Sequence, residues 1–368
     1  MSNHTPHLAI LASFSGEGGV ERMILNLAKG LLCLGCRVEL LCIREDSPHL
    51  KQLPSDIKII PLGVRHALQA VVPLAGYLRK NRPDGLIAAK DRAGQAAVLA
   101  RLLSGVQTRL AIRIGTTVSA AIKDRPFYQK WAWYLPMRIL YARADRIIAV
   151  SEGVAQDIRR ITGLDSTHVI ALPNPVIHKG IYELATHSTG HIWLDKPTCP
   201  VILGIGRLTR QKDFHTLIKA FSLVYQKMDC RLVILGRGRD EASLRSLAQQ
   251  LKVATAVDFA GWSPNPYAFL SKASLFVLSS RWEGSPNVLT EAMALGVPCV
   301  ATDCPSGPSE LLTGELSRHL VPVEDHKAMA RAMLDTLQTP PNAQLLKDAV
   351  RPYEIQNSAR HYLNALFS

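Results

Sequence analysis

Short apolar runs alternate along this chain with longer stretches in which apolar residues recur every three or four positions. LAILASF (Leu8–Phe14) is one such run, and the GVERMILNLAKGLL that follows places Met23, Ile24, Leu27, Leu31 and Leu32 on one helical face. RVELLCI, DIKII, GLIAA, RLAIRI and RIIAV are further strand candidates, separated by helical stretches. Strand–helix alternation of this kind predicts a parallel, doubly wound α/β sheet.

The alternation stops in PNPVIHKGIYELATHSTGHIWLDKPTCP (Pro173–Pro200), where prolines and polar residues accumulate. It resumes with VILGIG, a helical DFHTLIKAFSLVYQ, then RLVILG, AVDFAG, SLFVLS, a helical VLTEAMALG, and PCVAT. The pattern predicts an N-terminal domain over 1–175, a linker over 176–199 and a C-terminal domain over 200–345. A helix over 346–368 is expected to pack back on the first domain. Two such sheets in tandem make a cleft walled by the carboxyl ends of their strands, where ligands of open α/β sheets bind.

Composition agrees with two globular cores. The 368 residues are 47% hydrophobic and 20% charged, at roughly 100–200 residues per domain. No apolar run approaches the ~18 residues of a membrane span. MSNHTPHLAI lacks the basic and apolar regions of a signal peptide, so a cytoplasmic location is expected. Seven cysteines, an odd number set mostly among apolar residues, read as small core side chains in a reducing compartment. Formal net charge is +13, and the basic excess lies mainly in the first half. A basic face suits nucleic acid, anionic lipid or an acidic substrate, and charge alone does not choose.

Chemistry concentrates in SSRWEGSPNVLTEAMALGVPCVATD, which sets Glu283 on a loop after a strand and Glu291 in the first turn of a helix capped by Asn287. Free amides around Asn287, Val288 and Leu289 favour an anion there. A carboxylate accepts paired hydrogen bonds from vicinal hydroxyls, so the segment suits a phosphate flanked by two diols. A glutamate that merely favours the helix dipole is the plainer alternative. Upstream, GIGRLTRQKDF (Gly204–Phe214) places Arg207 and Lys212 in a loop before a helix, a fork and a point charge suited to a diphosphate. No Asp-x-Asp occurs anywhere to clamp a divalent metal. Fixed cations would then stabilise the leaving group.

ADRIIAVSEGV, IALPNPV, GRLTRQK and EGSPNVLTEAMALGVPCVATD, in that order, resemble glycosyltransferase family 4 over nearly the whole chain. The resemblance implies GT-B architecture, two Rossmann-like doubly wound domains facing a central cleft. It implies metal-independent transfer of a hexosyl-type sugar, with retention at the anomeric carbon, from a nucleoside-diphosphate sugar to a glycan or lipid-linked acceptor. Cell-envelope polysaccharide or lipopolysaccharide assembly is the setting it suggests. No cofactor and no metal are implied; the donor is expected to be a UDP-sugar, with GDP- and ADP-sugars as alternatives. Arg207 and Lys212 match the pair that grips the diphosphate, Glu283 the carboxylate facing the transferred sugar, and Glu291 the one that binds the ribose. Amides of Asn287, Val288 and Leu289 would cap the phosphates.

FSGEGGVER resembles the family's glycine-rich loop, with Gly16, Gly18 and Gly19 allowing backbone approach to the donor. LGRGRDEASL and FAGWSPN place Gly236, Gly238 and Trp262 in loops that lie by the nucleobase in the family. Gly-Arg-Gly lacks the third glycine and the downstream acid of a dinucleotide fingerprint, which argues against NAD. Many relatives carry an N-domain histidine near the sugar, but RLAIRIGTTVS has none; Arg113 and Thr116 stand in that region instead.

Acceptor recognition in GT-B enzymes falls to the N-terminal domain. There, Lys123–Arg146 sets Phe127, Tyr128, Trp131, Trp133, Tyr134 and Tyr141 among lysines and arginines. A basic, aromatic helix suits an anionic membrane surface, giving a peripheral protein on the inner face of the cytoplasmic membrane. Packing of that helix on its own domain is the alternative. Two other functions fit the same residues less well. An epimerase of nucleotide sugars would need no second substrate, and a binding-only module, for nucleic acid above all, would show a base-reading motif that the chain lacks.

Overall fold

A computed structural model describes residues 5–15 and 19–368. The chain forms two compact units, Met1–Val176 with Tyr353–Ser368, and Ile177–Pro352. Both are doubly wound α/β units built on wholly parallel sheets.

The first unit begins with β1 (His7–Phe14), α1 (Gly19–Cys33), β2 (Arg37–Glu45), β3 (Lys58–Pro61), α2 (Val71–Asn81), β4 (Gly85–Ala89) and α3 (Asp91–Ser104). It continues through β5 (Arg109–Ile114), α4 (Val118–Ala121), α5 (Phe127–Tyr141), β6 (Arg146–Ala149), α6 (Glu152–Thr162) and β7 (Val169–Ala171). The strands run in the order β3-β2-β1-β4-β5-β6-β7, so the winding direction reverses between β1 and β4. Local signals set the helix ends: α6 starts where the Ser151 side chain accepts from the Val154 amide and stops at Gly163, with φ of 78°. Alternate strand residues feed two cores. Leu86, Leu110, Ile112 and Ile147 pack under α2, α3, α5 and α6. Leu8, Ile10, Ile87 and Ile148 pack under α1.

The second unit holds α7 (Gly180–Ala185), α8 (Ile192–Asp195), β8 (Val201–Ile205), α9 (Phe214–Tyr225), β9 (Arg231–Leu235), α10 (Glu241–Gln250) and β10 (Val257–Gly261). Then come α11 (Pro266–Lys272), β11 (Leu275–Leu278), α12 (Asn287–Ala294), β12 (Cys299–Thr302), α13 (Pro308–Leu311), β13 (Leu320–Val321), α14 (His326–Gln338) and α15 (Ala343–Ala349). The strand order is β10-β9-β8-β11-β12-β13, reversing between β8 and β11.

The expected linker over 176–199 is corrected. Residues 177–199 fold as part of the second unit, with α7 and α8 packed on α11. Four contacts hold them: Asn265 Nδ2 to Leu184 O at 2.8 Å, Ser271 Oγ to Ala185 O at 2.7 Å, Lys272 Nζ to Asp195 Oδ1 at 2.5 Å, and His191 Nε2 to Asp258 Oδ2 at 2.9 Å. The far boundary moves as well, because α15 packs on α12 and the second unit runs to Pro352.

The chain returns to the first unit as α16 (Ile355–Phe367), which lies on α1 and buries Ala359, Tyr362 and Leu366 in that core. Helix α1 admits it at Gly30, where a Cβ would come within 2.7 Å of Ala359 Cβ. Among the described residues, no helix is long and apolar enough to cross a membrane.

Candidate active site

Strands β8 and β11 flank the reversal point of the second sheet, and the loops leaving their carboxyl ends open at the same crevice. The loop after β8 carries Arg207 and Lys212; the loop after β11 carries Glu283. Lys212 Nζ lies 2.5 Å from Glu283 Oε1, and the same oxygen accepts from Ser280 Oγ at 2.6 Å. Only 16% of the Lys212 side chain and 8% of the Glu283 side chain remain exposed, so the ion pair is largely withdrawn from water. Gly206 makes room for it: a Cβ there would sit 3.1 Å from Lys212 Cγ. Arg207 is exposed, and among the described residues its guanidinium has no ion-pair partner.

Backbone and side-chain bonds stitch the two loops into one platform. Ser279 Oγ donates to Lys212 O at 2.7 Å, Arg281 N to Gln211 O at 2.8 Å, and Gln211 Nε2 to Trp282 O at 2.9 Å. Arg281 spans Asp213 at 3.1 Å and Glu324 at 2.8 Å. Asp213 is buried in the left-handed conformation, φ 47°, and takes the Thr216 hydroxyl at 2.8 Å. Sequence reading did not find Ser280, Gln211, Asp213 or Arg281. An aspartate just before a helix and an arginine just after a strand were the available signals, but each is common in isolation.

Helix α12 starts one residue earlier than expected. The Pro286 carbonyl accepts from both the Leu289 and Thr290 amides, at 2.9 and 3.2 Å, so Pro286 is the cap and Asn287 the first helical residue. Glu291 consequently stands in the second turn, not the first. The Leu289 amide is spent inside the helix, whereas the Val288 amide has no partner among the described residues. Glu291 is buried and accepts from the Tyr267 hydroxyl at 3.4 Å. The Ser285 and Thr290 hydroxyls, on the same loop and helix, are buried without a hydrogen-bond partner among the described residues. Buried hydroxyls in native proteins rarely go unbonded, so these two mark a place for a ligand or water. Cys304 also lies close by: burial and then the Glu283 charge push its thiol up to about 12, which keeps it protonated and inert.

Gly236 and Gly238 follow β9, and the backbone itself explains them. Gly236 has φ of 147°, and a Cβ would fall 1.9 Å from Gly206 O; at Gly238 a Cβ would fall 2.2 Å from Leu208 O. Both glycines therefore let the loop after β9 lie flat against the Arg207 loop. Trp262, directly after β10, is 38% exposed.

In the first unit, Gly16 and Gly18 lie outside the described residues, and Gly19 opens α1. Arg113 is corrected as a substrate-facing side chain. It is 2% exposed, donates from Nη2 to Asn174 Oδ1 at 2.8 Å, and has Tyr362 of α16 alongside. Burial lowers the pKa of its guanidinium. It acts as a strut joining β5 to the segment after β7 and to α16. Thr116 is half-buried in the loop after β5. Among the described residues, no group of three or more His, Cys, Asp or Glu side chains is placed to hold a metal ion.

Two tandem doubly wound parallel units of this kind constitute the GT-B architecture. Residues 17–179 match the model of "Glycosyltransferase Family 4" and residues 192–352 that of "Glycosyl transferases group 1", so the chain belongs to glycosyltransferase family 4. It is 30% identical over 248 residues to the N-acetylgalactosamine-N,N'-diacetylbacillosaminyl-diphospho-undecaprenol 4-alpha-N-acetylgalactosaminyltransferase of Campylobacter jejuni, covering 67% of this chain and 65% of that one. It is 27% identical over 338 residues to the lipopolysaccharide core biosynthesis glycosyltransferase LpsE of Rhizobium meliloti, covering 87% and 86%. A shorter match, 42% over 118 residues, is to the uncharacterized glycosyltransferase MJ1059 of Methanocaldococcus jannaschii; it covers 32% of this chain and 29% of that relative. Among solved structures, Anabaena Alr3699/HepE in complex with UDP superposes with a TM-score of 0.79 at 17% identity, covering 99% of this chain and 100% of that one.

Proposed function

We propose that this protein transfers a hexosyl-type sugar from a UDP-sugar to a glycan or lipid-linked acceptor, with retention and without a metal ion, in cell-envelope polysaccharide or lipopolysaccharide assembly. One observation carries the reading: the Lys212–Glu283 pair, with Arg207 on the same loop as Lys212, at the reversal point of the second sheet. Arg207 and Lys212 would hold the donor diphosphate, with the Val288 amide at the tip of α12 as a third donor of hydrogen bonds. Lys212 then shares its charge between Glu283 and the phosphate, and stabilises the diphosphate as it departs. Glu283, fixed by Ser280, faces the transferred sugar, and Glu291 takes the ribose hydroxyls. The departing phosphate oxygen is basic enough to accept the acceptor hydroxyl's proton, so no separate base is required. GDP- and ADP-sugars are the other donor classes that a diphosphate clamp admits.

The Campylobacter and Rhizobium relatives, named for a diphospho-undecaprenol-linked glycan and for lipopolysaccharide core, support an acceptor of the envelope class. An acceptor of this class would be met in the cytoplasm at the inner face of the membrane, and on this reading the protein is held there peripherally through residues 123–146. Calorimetric titration with UDP, GDP and ADP in EDTA tests the donor site. UDP is expected to bind, and Arg207→Ala to weaken it roughly ten- to hundredfold, the equivalent of about 1.5–3 kcal/mol for a charge-assisted bond. Failure of all three nucleotides to bind, with or without Mg²⁺, would overturn the reading. Retention is read from the anomeric configuration of the product by NMR.

A further inference from the structure

Helix α5 turns only Met137 and Tyr141 fully inward. The helix is held by the Tyr141 hydroxyl on Asp91 at 2.6 Å and, from the edge of its outer face, by Arg138 Nε on the Ile161 carbonyl at 2.6 Å. The outer face carries Phe127, Trp131, Leu135 and Ile139 at four-residue spacing, with Tyr128 beside them, exposed by 80, 52, 37, 57 and 69% respectively. A shallow groove of about 290 Å³ runs between Phe127, Trp131, Tyr134 and Leu135.

This stripe has company. Helix α3 packs against both α2 and α5, and the buried sides of all three share one core under the same face of the first sheet. The outer side of α3 exposes Leu99, Leu102 and Leu103, while Val72 in the first turn of α2 and Leu68, in the 3₁₀ turn just before it, are exposed as well. The layer therefore holds ten of the fifteen large hydrophobic side chains that are exposed among the described residues. The opposite layer, α1 and α16, exposes only Phe367 of that set. Single exposed leucines need no explanation, but such a one-sided concentration marks an interaction surface.

Charge identifies the occupant. Lys123, Arg125, Lys130, Arg138 and Arg143 stand on or beside α5, and none takes part in an ion pair among the described residues. The guanidiniums of Arg92 and Arg125 lie over Trp133 at 5.5 and 5.8 Å from the ring centre, linking α3 and α5 through one cationic–aromatic cluster. A second copy of the same face would bring these cations against each other, and the cores of protein interfaces are depleted of lysine. An anionic bilayer matches both the charge and the amphipathic aromatics.

We infer that the first unit docks on an anionic bilayer through the whole α2–α3–α5 layer rather than through α5 alone. The inference rests on the peripheral-membrane reading above, and it fixes which face of the first sheet meets the lipid.

Flotation of the full-length protein with vesicles of phosphatidylcholine, with and without half phosphatidylglycerol, tests it. Two double variants are compared, Trp131→Ser/Leu135→Ser in α5 and Leu102→Ser/Leu103→Ser in α3. All four side chains are exposed, so the melting temperature and UDP affinity are expected to stay at wild-type values. The wild type is expected to float with the anionic vesicles only and to be released by 0.5 M salt, and each double variant to bind at least tenfold more weakly. Wild-type binding by the α3 variant, with loss in the α5 variant, would confine docking to α5 and overturn the inference while leaving the peripheral reading intact. A wild type that ignores anionic vesicles would remove both. A dimer seen by light scattering that the α3 variant splits would make the layer a contact between copies, and would equally overturn it.

Discussion

Glu283 and Lys212 are charged side chains that depend on each other, because neither has water enough to stand alone. Glu283→Ala would strand the lysine; breaking a buried pair in this way costs about 3–5 kcal/mol. Its effect on turnover would then be mixed with lost stability. Glu283→Gln keeps the shape and the Ser280 contact, and is expected to lower kcat strongly while leaving UDP affinity within a few-fold. Glu291→Ala is expected to do the reverse, raising KM for the donor more than it lowers kcat. Steady-state kinetics with a melting curve for each variant separate the two roles; unchanged kinetics in both would remove these carboxylates from the site. A second residue-scale expectation concerns pH. His319 is buried, its Nδ1 lies 2.9 Å from a Thr336 hydroxyl whose proton goes to Ala332 O, and its Nε2 accepts from Arg318 Nε at 3.3 Å. That pattern requires the neutral ring protonated at Nδ1. Burial first, and Arg318 second, lower its pKa below the usual 6.5. The unfolded chain then binds the proton more readily than the folded one, so this contribution is present above pH 6.5 and is lost as pH falls toward the folded value. Denaturant melts at pH 7.5 and 5.5 are expected to show a smaller stability loss in His319→Gln than in wild type.

At the scale of elements, strand–helix alternation was legible because buried parallel strands are continuous apolar runs and their helices repeat every 3.6 residues. Strands β7 and β13 escaped, being three and two residues long, too short to carry a period. Residues 177–199 looked like a linker because what holds them is distant and polar: Asp195 waits for Lys272, and His191 for Asp258. No local pattern announces such partners. Arg113 was misleading for a related reason, since a strand's alternation fixes which way a residue points but not which helix will cover it; α16 arrives from 249 residues further on, at Tyr362. The two loops of the candidate site stood out as charge on loops between strand and helix, while the Asp213–Arg281 tie between them did not. Gly236 shows how tightly those loops are fitted. Gly236→Ala adds a methyl group at φ 147°, within 1.9 Å of Gly206 O, and strained backbone of this kind costs about 1–3 kcal/mol before the clash is counted. The Arg207 loop must move to admit it. Calorimetry is expected to show weakened UDP binding together with a lower melting temperature; wild-type affinity would mean that the two loops are not coupled.

At the scale of the whole molecule, the first unit is made from two separate pieces of chain, and its last piece is a single helix. Helix α16 supplies Tyr362 and Leu366 to the core that it shares with α1 on the first sheet, each worth about 1.5–3 kcal/mol on full burial. It also donates the Ser358 hydroxyl to Pro173 O at 2.6 Å, and the Tyr353 carbonyl accepts from the Val176 amide at 2.9 Å. Truncation after Pro352 would remove all of these and uncover Gly30, Gly85 and the buried guanidinium of Arg113 along one face of the first sheet. The second unit keeps its own sheet and the helices α9 and α14, which share one core against it, intact. The loss is therefore expected to be one-sided. Hydrogen exchange on the 1–352 chain should show α1, β1 and β5 losing protection while β8, α9 and α14 keep theirs, and UDP binding should survive the truncation. Uniform loss across both units would mean that α16 stabilises more than the unit it packs on. Unchanged protection in α1 would mean that its buried tyrosine and leucine contribute little, against the geometry that seats them.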